Sequence, residues 1–123
     1  MPRILVIDDD SQIRELLRKI LEREGYEVFL AQDGEEGVKL QRQTDADIII
    51  TDIIMPEKEG IETIVEIKRD SPETKIIVIS GGGRLDATSL LEMADRLGVH
   101  YSFEKPFDRQ ELLAAVRDLT QAA

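Results

Sequence analysis

Each of four apolar runs in this chain is closed by a polar residue able to do chemistry, and no other feature constrains the fold as strongly. Ile4-Leu5-Val6-Ile7 is followed by Asp8, Asp9 and Asp10, Ile48-Ile49-Ile50-Thr51 by Asp52, and Ile76-Ile77-Val78-Ile79 by Ser80. Tyr101-Ser102-Phe103 is followed, one residue further on, by Lys105. The two central runs are apolar at consecutive positions, so as strands they need helices on both faces. Segments of helical period separate the runs, which is the βαβ pattern of a parallel sheet. In such a sheet the strands all end on one edge, where α/β proteins hold their ligands. The four polar signals therefore converge on a single edge.

The pattern repeats five times along the chain. A strand over 3–7 leads into a helix with Ser11 as N-cap, whose three- and four-residue spacing buries Ile13, Leu16, Leu17, Ile20 and Leu21. Gly25 ends that helix. A shorter strand over 28–31 belongs at the sheet edge, and Asp33 with Glu36 makes a loose capping box for a helix reaching about residue 43. Ile61, Ile64, Val65 and Lys68 mark a third helix, stopped at Ser71-Pro72 because a residue before proline avoids the helical region. A fourth is predicted over 86–97, with Leu90, Leu91, Ala94 and Leu97 inward. The fifth starts at Asp108 and carries Leu112, Leu113, Val116 and Leu119. Without a linker, repeat or low-complexity segment, residues 1–123 are expected to form one domain.

Composition excludes several functions. Sixteen Lys and Arg against twenty-six Asp and Glu leave a formal charge of −10, with no basic block to override it. Such a surface repels nucleic acid and anionic membranes, so no direct nucleic-acid or membrane binding is expected. With no cysteine there is no disulfide framework and no thiolate zinc site, which fits the cytoplasm. The N-terminal apolar stretch is interrupted by the acidic triplet and reads as a strand, neither signal peptide nor membrane span.

The converging residues define a chemistry. Carboxylates this close cannot all ionise without a counter-charge, and an oxygen-rich site of this kind suits Mg²⁺. Asp8, Asp9 and Asp52 would supply it. A carboxylate can also attack a phosphoryl group to form an aspartyl phosphate, and Asp52 is the candidate nucleophile. Lys105 would hold a second phosphoryl oxygen as a point charge on a flexible stem. Ser80 could donate its hydroxyl to a third, with Gly81 leaving room. Taken singly, each residue has a blander explanation: Asp10-Ser11 is an ordinary helix cap, Ser80 a loop serine, and lone His100 packs near the last strand. The constellation carries the weight.

The segments ILVIDDDSQIR, IIITDIIMP, IIVISGG and FEKPF, in this order and spacing across nearly the whole chain, resemble the receiver domain of bacterial response regulators, of the kind found in chemotaxis receivers. The resemblance implies a flavodoxin-like, doubly wound five-stranded parallel sheet of order 2-1-3-4-5 with five helices. It implies that Asp8 and Asp9 are the metal-side acidic pair, Asp52 the phosphoacceptor, Ser80 the switch hydroxyl and Lys105 the phosphoryl-binding lysine. The backbone carbonyl of Ile54 would complete the Mg²⁺ shell, and Lys105-Pro106 would be cis. The expected partners are a histidine kinase or histidine phosphotransfer protein upstream and a protein target downstream. The expected role is signalling, with no catalysis beyond the domain's own phosphorylation and slow dephosphorylation.

Three departures qualify the expectation. Ser102 stands where receivers usually carry the aromatic whose rotation reports phosphorylation, and Tyr101 and Phe103 beside it point to the opposite face. Ile54 and Gly82 stand where receivers often hold residues that orient hydrolytic water, which predicts a slowly hydrolysed phosphate. Gly81-Gly82-Gly83 predicts a mobile loop. Rival functions fit less well. Asp8-x-Asp10 imitates the first motif of haloacid-dehalogenase phosphatases, but Gln12 stands where Thr or Val is needed, and no phosphate-binding GxxxxGK[ST] motif follows Ser80. The alternative of another class is a receiver-like interaction module that works without phosphorylation.

Overall fold

A computed structural model of the chain describes residues 1–52, 60–80 and 96–121. In order, the elements are β1 (Arg3–Ile7), α1 (Ser11–Arg23), β2 (Glu27–Ala31), α2 (Gly34–Thr44), β3 (Ile48–Asp52), α3 (Gly60–Asp70), β4 (Lys75–Ser80), β5 (Tyr101–Glu104) and α4 (Arg109–Gln121). The five strands form one parallel sheet of order β2-β1-β3-β4-β5, as expected. Four helices lie among the described residues. Residues 86–95 of the helix predicted over 86–97, Ile54 and the triple glycine fall outside them; residues 96 and 97 are helical, and Leu97 packs against the sheet.

Alternation along the buried strands divides the core into two layers. On one face Ile4, Val6, Ile48, Ile50, Ile77 and Ile79 pack under α1 and α4, which contribute Leu17, Ile20, Leu21, Leu112, Leu113 and Val116. On the other, Leu5, Ile7, Ile49, Ile76 and Val78 pack under Val38 of α2 and Ile64 and Ile67 of α3. Close approach of α2 to the end of β1 requires Gly37, because a Cβ there would collide with the Ile7 side chain.

Helix boundaries shift by a residue from expectation. Asp10, not Ser11, caps α1: its backbone is extended and its carboxylate accepts the Gln12 N–H at 2.8 Å. Asp108 likewise precedes α4, accepting from the amides of Gln110 and Glu111. In the capping box before α2, Asp33 accepts the Glu36 N–H, while Glu36 reaches back to the amide of Gln32. Leu16, expected inward, is 47% exposed, because the stripe through Ile13, Leu17 and Ile20 already meets the sheet.

His100 extends the sheet beyond β5. Its amide donates to the Ile76 carbonyl and its Nδ1 accepts the Ile76 N–H at 3.3 Å, so the packing expected of it is accompanied by an acceptor role. Burial first, then the charges of Lys68 and Lys75, hold its pKa below the ordinary 6.5. As pH falls, the unfolded chain therefore takes the proton first. The contribution of neutral His100 is complete above the unfolded value and is lost on acidification through the depressed folded one. The urea midpoint is expected to fall between about pH 7 and pH 5.5, and His100→Gln to remove part of that slope. An identical slope in the variant would assign the whole effect to carboxyl groups.

Candidate functional site at the carboxyl edge of the sheet

Strand register brings the polar residues to one edge. Ile7 of β1 pairs with Thr51 of β3, Asp52 with Ile79 of β4, and Ser80 with Glu104 of β5. Asp8 and Asp9 therefore leave β1 beside Asp52, and Lys105 leaves β5 beside Ser80, whose carbonyl accepts the Lys105 N–H at 2.8 Å. The Lys105-Pro106 peptide is cis.

Oxygens of Asp8, Asp9 and Asp52 all lie within 4.8 Å of one another. Asp8 and Asp52 are buried, whereas Asp9 faces solvent. Lys105 Nζ bridges the two buried carboxylates, 2.9 Å from Asp8 Oδ2 and 2.8 Å from Asp52 Oδ2. Asp8 is held on its other side: its N–H donates to the Ala31 carbonyl, its Oδ1 accepts the Asp10 N–H at 2.9 Å, and its carbonyl accepts from Arg14 Nη1 at 2.6 Å.

The electrostatics are those of an unfinished charge balance. Among the described residues, three carboxylates and one ammonium, when ionised, leave two net negative charges in a partly dry site. Desolvation raises the Asp8 carboxyl above its ordinary value, against the opposing pull of the Asp10 amide and Lys105. Lys105 is itself desolvated, yet its two carboxylate partners keep its ammonium above the ordinary value. Asp8 Oδ2, fully buried, meets Lys105 as an ion pair but has no aligned hydrogen-bond donor. An all-oxygen donor set with its oxygens within 4.8 Å of one another, and surplus negative charge among the described residues, fit a divalent cation.

Ser80 is buried at the end of β4, where the sequence reading put it. Ser102 is exposed on β5, while Tyr101 and Phe103 stack with ring centroids 6.4 Å apart and pack toward α1 and α4. The opposite-face arrangement expected of these aromatics is therefore present. Sequence reasoning missed Arg14, a residue of α1 that reads as helix surface until the fold brings it back over the end of β1.

The family model for the response regulator receiver domain matches residues 4–117. The transcriptional regulatory protein CpxR of Klebsiella pneumoniae is 35% identical over 117 residues, covering 95% of this chain and 48% of that protein. Response regulator MprA of Mycolicibacterium vanbaalenii is 36% identical over 95% of this chain and 49% of its own length. The chain thus spans about half the length of the curated relatives it matches. Among solved structures, response regulator protein TrrA from Thermotoga maritima in complex with Mg²⁺-BeF superposes with a TM-score of 0.84 at 35% identity, over 97% of this chain and 99% of that one. The N-terminal domain of an uncharacterized protein from Wolinella succinogenes superposes with a TM-score of 0.87 at 35% identity, over 98% and 94% respectively.

Proposed function

The chain belongs to the response regulator receiver family, and from that membership we propose that residues 1–123 form one receiver domain that takes a phosphoryl group onto Asp52 with Mg²⁺ bound. The donor is a phosphohistidine of a histidine kinase or histidine phosphotransfer protein. The observation that carries the reading is the bridge of Lys105 between buried Asp8 and Asp52, at the strand ends, within a three-carboxylate cluster. The relative TrrA, solved in complex with Mg²⁺-BeF, supports a Mg²⁺-dependent reading.

In this reading an Asp52 carboxylate oxygen attacks phosphorus as the bond from phosphorus to the histidine nitrogen breaks and the imidazole departs. Asp8, Asp9 and Asp52, with the backbone carbonyl of Ile54, would hold the Mg²⁺, which neutralises charge on the transferred oxygens. Lys105 would exchange its contact with Asp52 for a phosphoryl oxygen, and the Ser80 hydroxyl would donate to another. Because these contacts differ between the free and phosphorylated states, they can shift a two-state equilibrium. The output is a change in a protein-binding face formed by the predicted helix over 86–97, β5 and α4. Exposed Ser102 makes the route to that face different from an aromatic rotation.

The role is signalling in the cytoplasm, with turnover limited to the domain's own slow dephosphorylation. No helix among the described residues is long and apolar enough to cross a membrane. The test is intact mass after incubation with acetyl phosphate and Mg²⁺. The protein should gain one phosphoryl group, and neither Asp52→Ala nor a metal-free sample should gain it. No gain under conditions where Mg²⁺ binding is seen directly would favour a receiver-like module that acts without phosphorylation.

A further inference from the structure

The carbonyl that Arg14 contacts belongs to the peptide joining Asp8 to Asp9. Its orientation therefore sets how the two acidic side chains stand relative to each other. The Asp8 N–H is fixed by β2 and its Oδ1 by the Asp10 amide, so the carbonyl is the remaining hinge of the turn. Arg14 Nη1 holds it at 2.6 Å with a charge-assisted hydrogen bond, from a partly buried position in the first turns of α1. The Arg14 amide in turn donates to the Asp10 carbonyl at 3.1 Å, tying the helix that carries the guanidinium to the end of the same turn.

We propose that Arg14 is a positioning residue for the divalent cation: by clamping the Asp8–Asp9 peptide it orients both metal-side carboxylates and raises the affinity of the site for Mg²⁺. The inference rests on the reading of the acidic cluster as a Mg²⁺ site. Groups that orient metal ligands from behind typically change affinity ten- to a hundredfold.

The sign of the effect separates positioning from simple electrostatics. Arg14 is a cation near a cation site, and its charge alone would weaken Mg²⁺ binding. Removing it should then tighten binding if charge dominates and loosen binding if the clamp dominates. Titration of the full chain with Mg²⁺ by calorimetry is expected to show Arg14→Ala binding about tenfold more weakly. Arg14→Lys, which keeps the charge and one donor, should recover the larger part of that loss. The rise in melting temperature on adding saturating Mg²⁺ should shrink in Arg14→Ala and return in Arg14→Lys.

Arg14→Ala with unchanged or tighter Mg²⁺ binding would overturn the proposal, as would a lower melting temperature with an undiminished Mg²⁺ increment, which marks a purely structural contact. If Arg14→Ala does not fold, Arg14→Met decides: it keeps the length and helix propensity of the side chain but has no donor for the Asp8 carbonyl, so Mg²⁺ binding should weaken, and wild-type affinity in that variant overturns the clamp. A wild-type chain that binds no Mg²⁺ would sink the underlying site and this inference with it.

Discussion

Lys105→Ala is expected to destabilise the metal-free protein by about 3 kcal/mol at neutral pH and at the same time to tighten its binding of Mg²⁺. Both effects come from one atom, the Nζ lying 2.9 and 2.8 Å from the buried oxygens of Asp8 and Asp52. Removing one partner of a buried pair costs more than the pair itself contributes, and here both Asp8 and Asp52 lose their ammonium. The loss is capped because Asp8, already raised by burial, would take up a proton instead of staying charged.

The pH dependence follows the same logic. A carboxyl raised in the folded state loses its contribution as pH rises from the unfolded value of 3.8 through the folded one, so in the variant this decline should extend to higher pH. The raised Lys105 ammonium of the wild type contributes fully below 10.5 and is lost above it, a component the variant should lack. Mg²⁺ gains because the ammonium occupies the oxygens the metal needs and repels it at short range. Even a small part of that repulsion at an effective dielectric of about 20 is worth the ~1.4 kcal/mol of a tenfold gain. Weaker Mg²⁺ binding in Lys105→Ala would mean that the lysine organises the cluster and does not compete for it.

Different parts of this molecule were legible in the sequence for different physical reasons. Strands β3 and β4 were readable because a run apolar at consecutive positions has few places to go except the centre of a covered sheet. The edge was readable because polar residues stop such runs. Strand order was not in the periodicity and came with the family resemblance. Asp10 and Ser11 are both good caps, and only the extended backbone at Asp10 decides between them. Leu16 and Leu17 both fit a helical stripe, but a helix meets a sheet along a narrower line than its apolar residues occupy. Within the site, the residue types of Asp8, Asp9, Asp52, Ser80 and Lys105 pointed to phosphoryl chemistry. Lys105 appeared from its chemistry as a phosphoryl ligand, whereas the structure shows its ammonium bridging Asp8 and Asp52. Arg14 could not be found at all from local pattern, since its partner is a main-chain carbonyl six positions earlier, reached only after α1 folds back over β1.

Ile49→Ala should cost about 3 kcal/mol of stability while leaving Mg²⁺ affinity of the folded protein unchanged, and the contrast with Lys105→Ala is informative. Ile49 is fully buried on the central strand, flanked by Leu5 and Ile76 and covered by Ile64 and Ile67 of α3. Truncation to alanine removes transfer free energy and leaves a cavity in a layer whose strands cannot move inward without breaking ladder pairs on both sides. For a domain of this size, with a total stability of about 5–15 kcal/mol, that is a large share. Alternation places Ile49 and Asp52 on opposite faces of β3. The carboxylates are held at the strand ends by Lys105 and the Asp10 amide, and the Asp8 main-chain carbonyl by Arg14. Urea denaturation should therefore show a lower midpoint with an unchanged slope, and calorimetry well below that midpoint a normal Mg²⁺ isotherm. A weakened isotherm would mean that packing beneath β3, and not the anchors at its end, sets the carboxylate geometry. In that case the Arg14 and Lys105 effects should fail to add to that of Ile49→Ala, because all three would act through the same displacement of the strand.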